Sequence, residues 1–283
     1  MQEILKLLNL RLLRELSGKT KSVYLVGNDQ DSFVLKVGTS PQSNRLLQKE
    51  IAVTTLLNES IQVVPRIFEE GVVNNNRFLL QEYFDFQNFN EIAGISTLKE
   101  AYRALAATLL KFAEIMRDDC GEVETGSQYS SWSTYLTHKI DDYYSNLKTE
   151  TQVLLPNEFV SALKAQVIQL SEPLHFNFLH MDLHGGNIFL SPDHTIKLID
   201  FDESIFGDTE YELTRLLQAH FTDEETGPLR KYFLQLLGRD HFMQTYKYQM
   251  YKKIRILHYI AVLDRRAEMD EIQEQVGLLR NDA

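Results

Sequence analysis

Three polar side chains between residues 182 and 200 have the types and spacing of a phosphoryl-transfer site. Asp182 is followed five positions later by Asn187, and Asp200 lies thirteen positions beyond that. A carboxylate such as Asp182 can accept the proton of an attacking hydroxyl group. An amide oxygen and a second carboxylate are hard ligands of the kind that Mg²⁺ prefers. We therefore predict a catalytic base at Asp182 and magnesium ligands at Asn187 and Asp200, with Asp202 as a further contact.

Two short apolar runs separate these magnesium ligands. The runs cover Ile188–Leu190 and Ile196–Leu198, and a Ser-Pro-Asp-His segment at 191–194 divides them. Apolar runs on either side of turn residues are typical of a β-hairpin. Such a hairpin brings Asn187 and Asp200 to the same end, as two ligands of one ion require.

His180 and His184 flank the predicted base and allow a different interpretation. An H-x-D-x-H pattern can supply imidazole ligands to the zinc or iron of a hydrolase. This alternative leaves Asn187 and Asp200 without a role. We therefore interpret His180 as a residue that orients the loop through a backbone hydrogen bond.

Lys36 lies inside an apolar strand and Glu50 lies in the helical segment that follows. A strand lysine paired with a helix carboxylate can hold the α- and β-phosphates of a nucleotide. The segment 17–22, upstream of Lys36, has one glycine, so it matches no standard phosphate-loop motif. Its backbone N–H groups, lysines and hydroxyls, including that of Ser22, could still cover the phosphates.

The periodicity predicts an α+β fold with two lobes. Residues 1–84 combine strand signals with an amphipathic helix over 1–16, and β-rich runs around residues 27–30 indicate a hairpin. Residues 85–283 are mainly helical and contain the catalytic hairpin. The predicted helices of this part begin near Thr97 and continue over 132–147, 158–170, 211–218 and most of 229–279.

The charge distribution and the composition indicate which partners and which cellular location to expect. The net charge is −11, and residues 1–85 carry ten basic and ten acidic side chains, so the excess lies in residues 86–283. That acidity reflects either solvated helix faces or a field that attracts a cationic substrate, and it disfavours nucleic acid as a partner. A lone cysteine, Cys120, and the lack of a long apolar run lead us to expect a soluble cytoplasmic protein without membrane partners.

Together these motifs resemble the aminoglycoside phosphotransferase and choline kinase-like family of small-molecule kinases. The family's catalytic loop, H-G-D-[LF]-H-x-G-N, is matched over 180–187 with Met181 in place of the glycine. Its [IV]-D-[FW]-[DE] motif is matched over 199–202. Its G-D-P-x-[YW]-D-L motif corresponds to residues 207–213, with Thr209 at the proline position and Glu212 in place of the second aspartate.

The resemblance implies a bilobal protein-kinase-like fold and a specific reaction. The γ-phosphoryl group of ATP, or of GTP, would move with Mg²⁺ to a hydroxyl of a small molecule such as an aminoglycoside or another cationic amino-alcohol. The segment around Glu82 and Phe84 resembles the hinge that holds the purine. A non-catalytic, pseudokinase-like nucleotide-binding module is the alternative. Both a monomer and a homodimer remain open.

Overall fold

The computed structural model describes residues 1–16, 21–123, 128–221 and 226–281. The chain forms two compact units, one of residues 1–111 with 180–204 and the other of 112–179 with 205–283. The hairpin at 180–204 thus groups with the N-terminal residues. The predicted boundary after residue 84, which divides the chain by function, stays a prediction.

The first unit is built on a five-stranded antiparallel sheet with the strand order β1-β2-β3-β5-β4. These strands are β1 (Arg11–Leu16), β2 (Ser22–Gly27), β3 (Ser32–Val37), β4 (Ile67–Val73) and β5 (Asn76–Glu82). The same unit contains α1 (Gln2–Leu8), α2 (Pro41–Ser60), β6 (Gln87–Asn88), β11 (Ile188–Leu190), β12 (Ile196–Leu198) and nearly all of α3 (Ile95–Phe112). The predicted hairpin of β2 and β3 is confirmed, with Tyr24 opposite Leu35.

Helix α2 is fixed at its start and along its length. The Ser40 hydroxyl accepts a hydrogen bond from the backbone N–H of Ser43, and Pro41 occupies the first turn, where its missing N–H costs nothing. Leu47 and Ile51 of this helix pack against Leu79 of β5 in a buried cluster. Because Leu47 and Ile51 hold the helix against the sheet, other side chains of α2 are also buried.

The N-terminal prediction is wrong in part. Helix α1 ends at Leu8 because Asn9 adopts a left-handed conformation with φ 53°, which stops a right-handed helix. Residues 11–16 then form the edge strand β1, where Leu12 and Leu13 are both 43% exposed. The apolar spacing of 1–16 suits a helix, but pairing with β2 decides the conformation of its second half.

The second unit combines a short-stranded sheet with helices. The sheet has the order β7-β10-β13-β8-β9, and its strands are β7 (Met116–Arg117), β8 (Cys120–Glu122), β9 (Gln128–Tyr129), β10 (Phe176–Leu179) and β13 (Ile205–Gly207). Its helices are α4 (Trp132–Ser145), α5 (Thr149–Leu154), α6 (Asn157–Val167), α7 (Thr209–His220), α8 (Leu229–Leu236), α9 (Tyr246–Arg266) and α10 (Met269–Asn281). Within the described ranges, no helix is long and apolar enough to cross a membrane.

The Gly-Asp pair at 207–208 is held by a buried polar chain. The indole N–H of Trp132 donates to the Tyr251 hydroxyl at 2.8 Å, and this hydroxyl donates to Asp208 at 2.8 Å. The other carboxylate oxygen of Asp208 accepts the backbone N–H of Glu210 and caps α7. A Cβ on Gly207 would come within 2.6 Å of the Trp132 ring. The close approach of this ring explains the glycine.

His258 makes the second unit sensitive to acid. Burial lowers the pKa of its imidazole, and together with the nearby charges of Arg255, Arg215 and Lys139 it brings this pKa to about 2. The folded protein therefore keeps His258 neutral, whereas the unfolded chain takes up a proton below about pH 6.5. Stability is then lost as the pH falls, and we expect a loss of about 1–2 kcal/mol between pH 7.5 and 5.

Urea unfolding of the wild type and of His258→Gln at both pH values measures this contribution. The substitution should remove this part of the pH dependence, whereas His175→Gln, at an exposed position, should retain it. Equal acid sensitivity of the wild type and His258→Gln would contradict the prediction.

Candidate active site

The catalytic hairpin has the predicted geometry. Strands β11 and β12 pair antiparallel with Ile188 opposite Leu198. One step further, the backbone N–H of Ile199 donates to the carbonyl of Asn187 at 3.1 Å. This bond places Asn187 and Asp200 at the same end of the hairpin, so this expectation is confirmed.

Asn187 also binds the predicted base. Its side-chain amide donates to the backbone carbonyl of Asp182 at 2.9 Å and to the Asp182 carboxylate at 3.1 Å. The amide nitrogen is used in both bonds, which leaves the amide oxygen as the group suited to a metal ion. One asparagine thus orients Asp182 and can act as a ligand.

His180 is fully buried, and both of its ring nitrogens are bonded to the backbone. Nδ1 accepts the N–H of Asp182 at 3.2 Å, and Nε2 lies 3.1 Å from the carbonyl of Ile199. These partners assign the proton to Nε2. The ring therefore joins the catalytic loop to the strand that precedes Asp200. Its use in two backbone bonds argues against the metal-hydrolase alternative, in which one nitrogen would have to bind a metal.

The backbone of Met181 has a conformation that glycine adopts more easily than other residues. Its φ is +65°, in the left-handed region that costs a non-glycine residue roughly 1–2 kcal/mol. The Met181 side chain is nevertheless 5% exposed, and burial of a methionine contributes about 1.5–3 kcal/mol. Packing therefore offsets the backbone strain at this position.

The Met181→Gly variant tests this balance between strain and packing. Glycine relieves the strain but removes the buried side chain, so we expect a net loss of about 1–3 kcal/mol in unfolding free energy. Turnover should stay within a few-fold, because no chemical group is lost. Thermal and urea unfolding alongside Met181→Ala provides the matched comparison. Alanine loses most of the packing without relief of strain, so an alanine variant more stable than the glycine variant would contradict the explanation.

A group of charged side chains in the first unit includes the predicted lysine–glutamate pair. The Lys36 ammonium on β3 forms an ion pair with Glu50 on α2. Both residues are buried, at 5% and 1% exposure. Burial raises the pKa of Glu50, but Lys36 and Lys21 outweigh this effect and lower it to about 2. Glu50 is therefore a carboxylate at neutral pH.

Lys21 is a site residue that the sequence did not single out. Its ammonium lies 2.6 Å from Glu50, 2.7 Å from Asp202 and 3.5 Å from Asp200. Burial lowers the pKa of Lys21, but these three carboxylates raise it to a net value above that of an ordinary lysine. The lysine stands in the segment before β2, and no sequence pattern distinguishes it from its neighbour Lys19.

Asp200 and Asp202 differ in their surroundings. The Asp200 side chain is 41% exposed, whereas that of Asp202 is 12% exposed. Burial raises the pKa of Asp202 to about 6, with Lys21 opposing the rise and Asp200 and Glu50 adding to it. Asp200 is thus the more open of the two carboxylates toward an incoming ion.

The remaining predicted nucleotide contacts, Ser22, Glu82 and Phe84, stay predictions. Ser22 begins β2 opposite Val37, and residues 17–20 of the segment 17–22, which we predict to cover the phosphates, lie outside the described residues. The Glu82 carboxylate accepts the backbone N–H of Arg66, and its own N–H donates to the carbonyl of Arg66. Glu82 is therefore engaged within the sheet and does not offer that N–H to a purine. Phe84 is buried and its ring stacks with that of Phe86 at a centroid distance of 5.7 Å.

Comparison with known proteins agrees with this architecture. Residues 13–248 match the model of the phosphotransferase enzyme family. This match extends over most of the chain, which therefore belongs to that family. No curated protein matches the sequence.

Several solved structures share the fold. A thermostable mutant of aminoglycoside phosphotransferase APH(4)-Ia, in a ternary complex with AMP-PNP and hygromycin B, is similar with a TM-score of 0.73 and 14% identity over 99% of this chain and 97% of that one. ADP-bound aminoglycoside phosphotransferase APH(2'')-Ib gives 0.69 and 16% over 97% and 95%. A putative fructosamine-3-kinase from Haemophilus somnus 129PT gives 0.68 and 15% over 95% and 90%. At these identities the likeness establishes the kinase-like fold alone, as predicted.

Proposed function

We propose that this phosphotransferase moves the γ-phosphoryl group of ATP to a hydroxyl of a small molecule in a Mg²⁺-dependent reaction. GTP is the alternative donor. The observation that carries the proposal is the hairpin end at which Asn187 holds the Asp182 carboxylate and lies beside Asp200. The buried Lys36–Glu50 pair adds the nucleotide-binding element that such a reaction uses.

The donor atoms fit magnesium. Asn187 and Asp200 offer a neutral and an anionic oxygen, and Mg²⁺ is typically bound by one or two protein oxygens together with substrate phosphates. When bound, the ion neutralises charge that develops on the phosphate oxygens. Glu50 is unsuited as a ligand because two lysines already hold its carboxylate.

Each residue of the site has a separate role in the proposed reaction. Asp182 accepts the proton of the acceptor hydroxyl as the oxygen attacks, while the Asn187 amide holds the carboxylate in position. His180 fixes the backbone on both sides of this contact. Lys36 contacts the nucleotide phosphates, and Glu50 keeps its ammonium in place. Preorganisation of this kind is the main source of rate enhancement in phosphoryl transfer.

A cationic acceptor is favoured over a neutral one. The excess of negative charge in residues 86–283 attracts amino groups, and one structural neighbour was solved with hygromycin B. An aminoglycoside or another amino-alcohol therefore has priority among the compounds to be tested.

The decisive experiment is a Mg²⁺-dependent nucleotide-consumption assay over a panel of hydroxyl acceptors. Aminoglycosides, macrolides, choline-type amines, sugars and hydroxy-amino acids are each combined with ATP and with GTP, and Asp200→Ala is the blank. Turnover that is absent from the blank supports the proposal and identifies the acceptor class. Bound nucleotide with no turnover on any acceptor favours the non-catalytic binding module instead.

A further inference from the structure

Three helices of the second unit bring basic and aromatic side chains together. We call this group the cationic cluster, and its members are Lys139 and Tyr143 on α4, Tyr211 and Arg215 on α7, and Arg255 and His258 on α9. Tyr211 is buried, whereas the other five residues are partly exposed. A small molecule can therefore reach the cluster from outside.

Arg255 is bonded to neutral groups within the cationic cluster. Its Nη1 lies 2.8 Å from Nδ1 of His258, and the guanidinium also donates to the hydroxyl oxygen of Tyr211. A guanidinium has no acceptor atom, so Nδ1 must accept and the imidazole is neutral. The Nε atom of Arg255 is buried and has no hydrogen-bond partner among the described residues. One N–H donor of this cation is thus left for a ligand.

Arg255 has basic neighbours, and within the described part of the chain no carboxylate bonds to it. Burial lowers the pKa of the Arg255 guanidinium, and the positive charge of Arg215 acts in the same direction. A poorly solvated cation without a counter-ion is unfavourable. The cationic cluster is exceptional because residues 86–283 as a whole carry a net negative charge. An anion that enters the cluster would compensate this charge.

Aromatic stacking holds the cationic cluster in place. The Tyr143 ring stacks on the His258 ring at a centroid distance of 4.7 Å. The Lys139 ammonium lies 5.5 Å from the centre of the same tyrosine ring, a distance at which a cation is attracted to an aromatic face. Donors that are already held in position reduce the cost of ordering side chains when a ligand binds.

We propose that the cationic cluster is a binding site for a small molecule that carries an oxyanion group, either a carboxylate or a phosphate. Arg255 donates its Nε–H to the oxyanion, and Arg215 and Lys139 add positive charge around it. The planar guanidinium presents N–H donors that match the oxygens of both groups. The inference goes beyond the proposed function and does not depend on it, because the residues assigned to phosphoryl transfer lie in the first unit.

Isothermal titration calorimetry without nucleotide or acceptor tests the inference. Sodium phosphate and sodium succinate are each titrated at constant ionic strength up to about 50 mM, so that a Kd in the millimolar range is measured. We expect a saturable site for at least one of these anions. Arg255→Met should weaken that binding at least about tenfold, because a hydrogen bond to a charged group is lost. Arg266→Met, at an exposed position of α9, should bind as tightly as the wild type.

The preferred anion identifies the class of ligand, since phosphate represents a phosphorylated compound and succinate a carboxylic acid. No binding of either anion to the wild type would overturn the inference, as would unchanged affinity in a folded Arg255→Met variant. Phosphate binding that is lost in Lys36→Met but retained in Arg255→Met would also overturn it, and would support the predicted nucleotide site instead. If Arg255→Met does not fold, Lys139→Met must weaken binding at least roughly threefold for the inference to hold.

Discussion

Replacement of Asp182 by asparagine is expected to lower kcat by a factor on the order of 10³, within the range of 10²–10⁴ that a positioned base contributes. Asparagine has nearly the same shape and can still accept the amide hydrogen bond that Asn187 donates. It cannot take up the proton of an attacking hydroxyl. The loss should therefore fall on the chemical step, with the affinity for nucleotide changed little.

Single-turnover kinetics with the acceptor found in the panel, together with fluorescence titration of a labelled ADP, separate these two effects. Asp193→Asn is the matched control, since Asp193 is an aspartate in the turn of the same hairpin and, among the residues that the structure describes, it bonds to its neighbours Ser191 and Thr195. The control should retain wild-type turnover. If Asp182→Asn turns over within two-fold of the wild type, Asp182 is not the base.

The two hairpins were predictable because their signals are local, whereas the kinase-like fold was implied by the resemblance of the motifs to a known family. The β-rich runs of β2 and β3 on either side of their turn, and the two runs around the turn at 191–194, each indicate a hairpin within a few residues. A hairpin also determines which residues meet at its end. The proximity of Asn187 and Asp200 therefore followed from sequence spacing, while their roles in metal binding stay predictions.

The contacts of Lys21 were not predictable because they depend on distant residues. Lys21 meets Glu50 across 29 positions and Asp202 across 181, and no local periodicity encodes such pairs.

The helix prediction for the N-terminal segment was wrong in part for a related reason. Its apolar spacing fits a helix beyond Leu8, but hydrogen bonds to β2 favour a strand, and tertiary pairing routinely overrides local propensity. The hydrogen bond from the Arg66 N–H to the Glu82 carboxylate likewise joins residues 16 positions apart, and the local sequence around Glu82 does not predict it.

The Glu50→Gln variant should show the largest loss of stability, because Glu50 is the shared partner of two buried ammonium groups. Loss of one member of a buried ion pair leaves uncompensated charge and typically costs about 3–5 kcal/mol. Lys21 retains Asp202, but Lys36 loses the carboxylate that positions it. Turnover should therefore fall together with the unfolding free energy.

The pH dependence identifies the charge of Glu50 as the cause. Its pKa is lowered from 4.5 to about 2 in the folded protein, so its stabilising contribution is complete above about pH 4.5 and is lost as the pH falls toward 2. Urea unfolding should therefore show a larger difference between the wild type and Glu50→Gln at pH 7 than at pH 3.5. Glu59→Gln, at an exposed position of the same helix, should change stability by no more than about 0.5 kcal/mol at either pH. A difference that is equally large at both pH values would mean that the shape of the glutamine, and not the missing charge, destabilises the site.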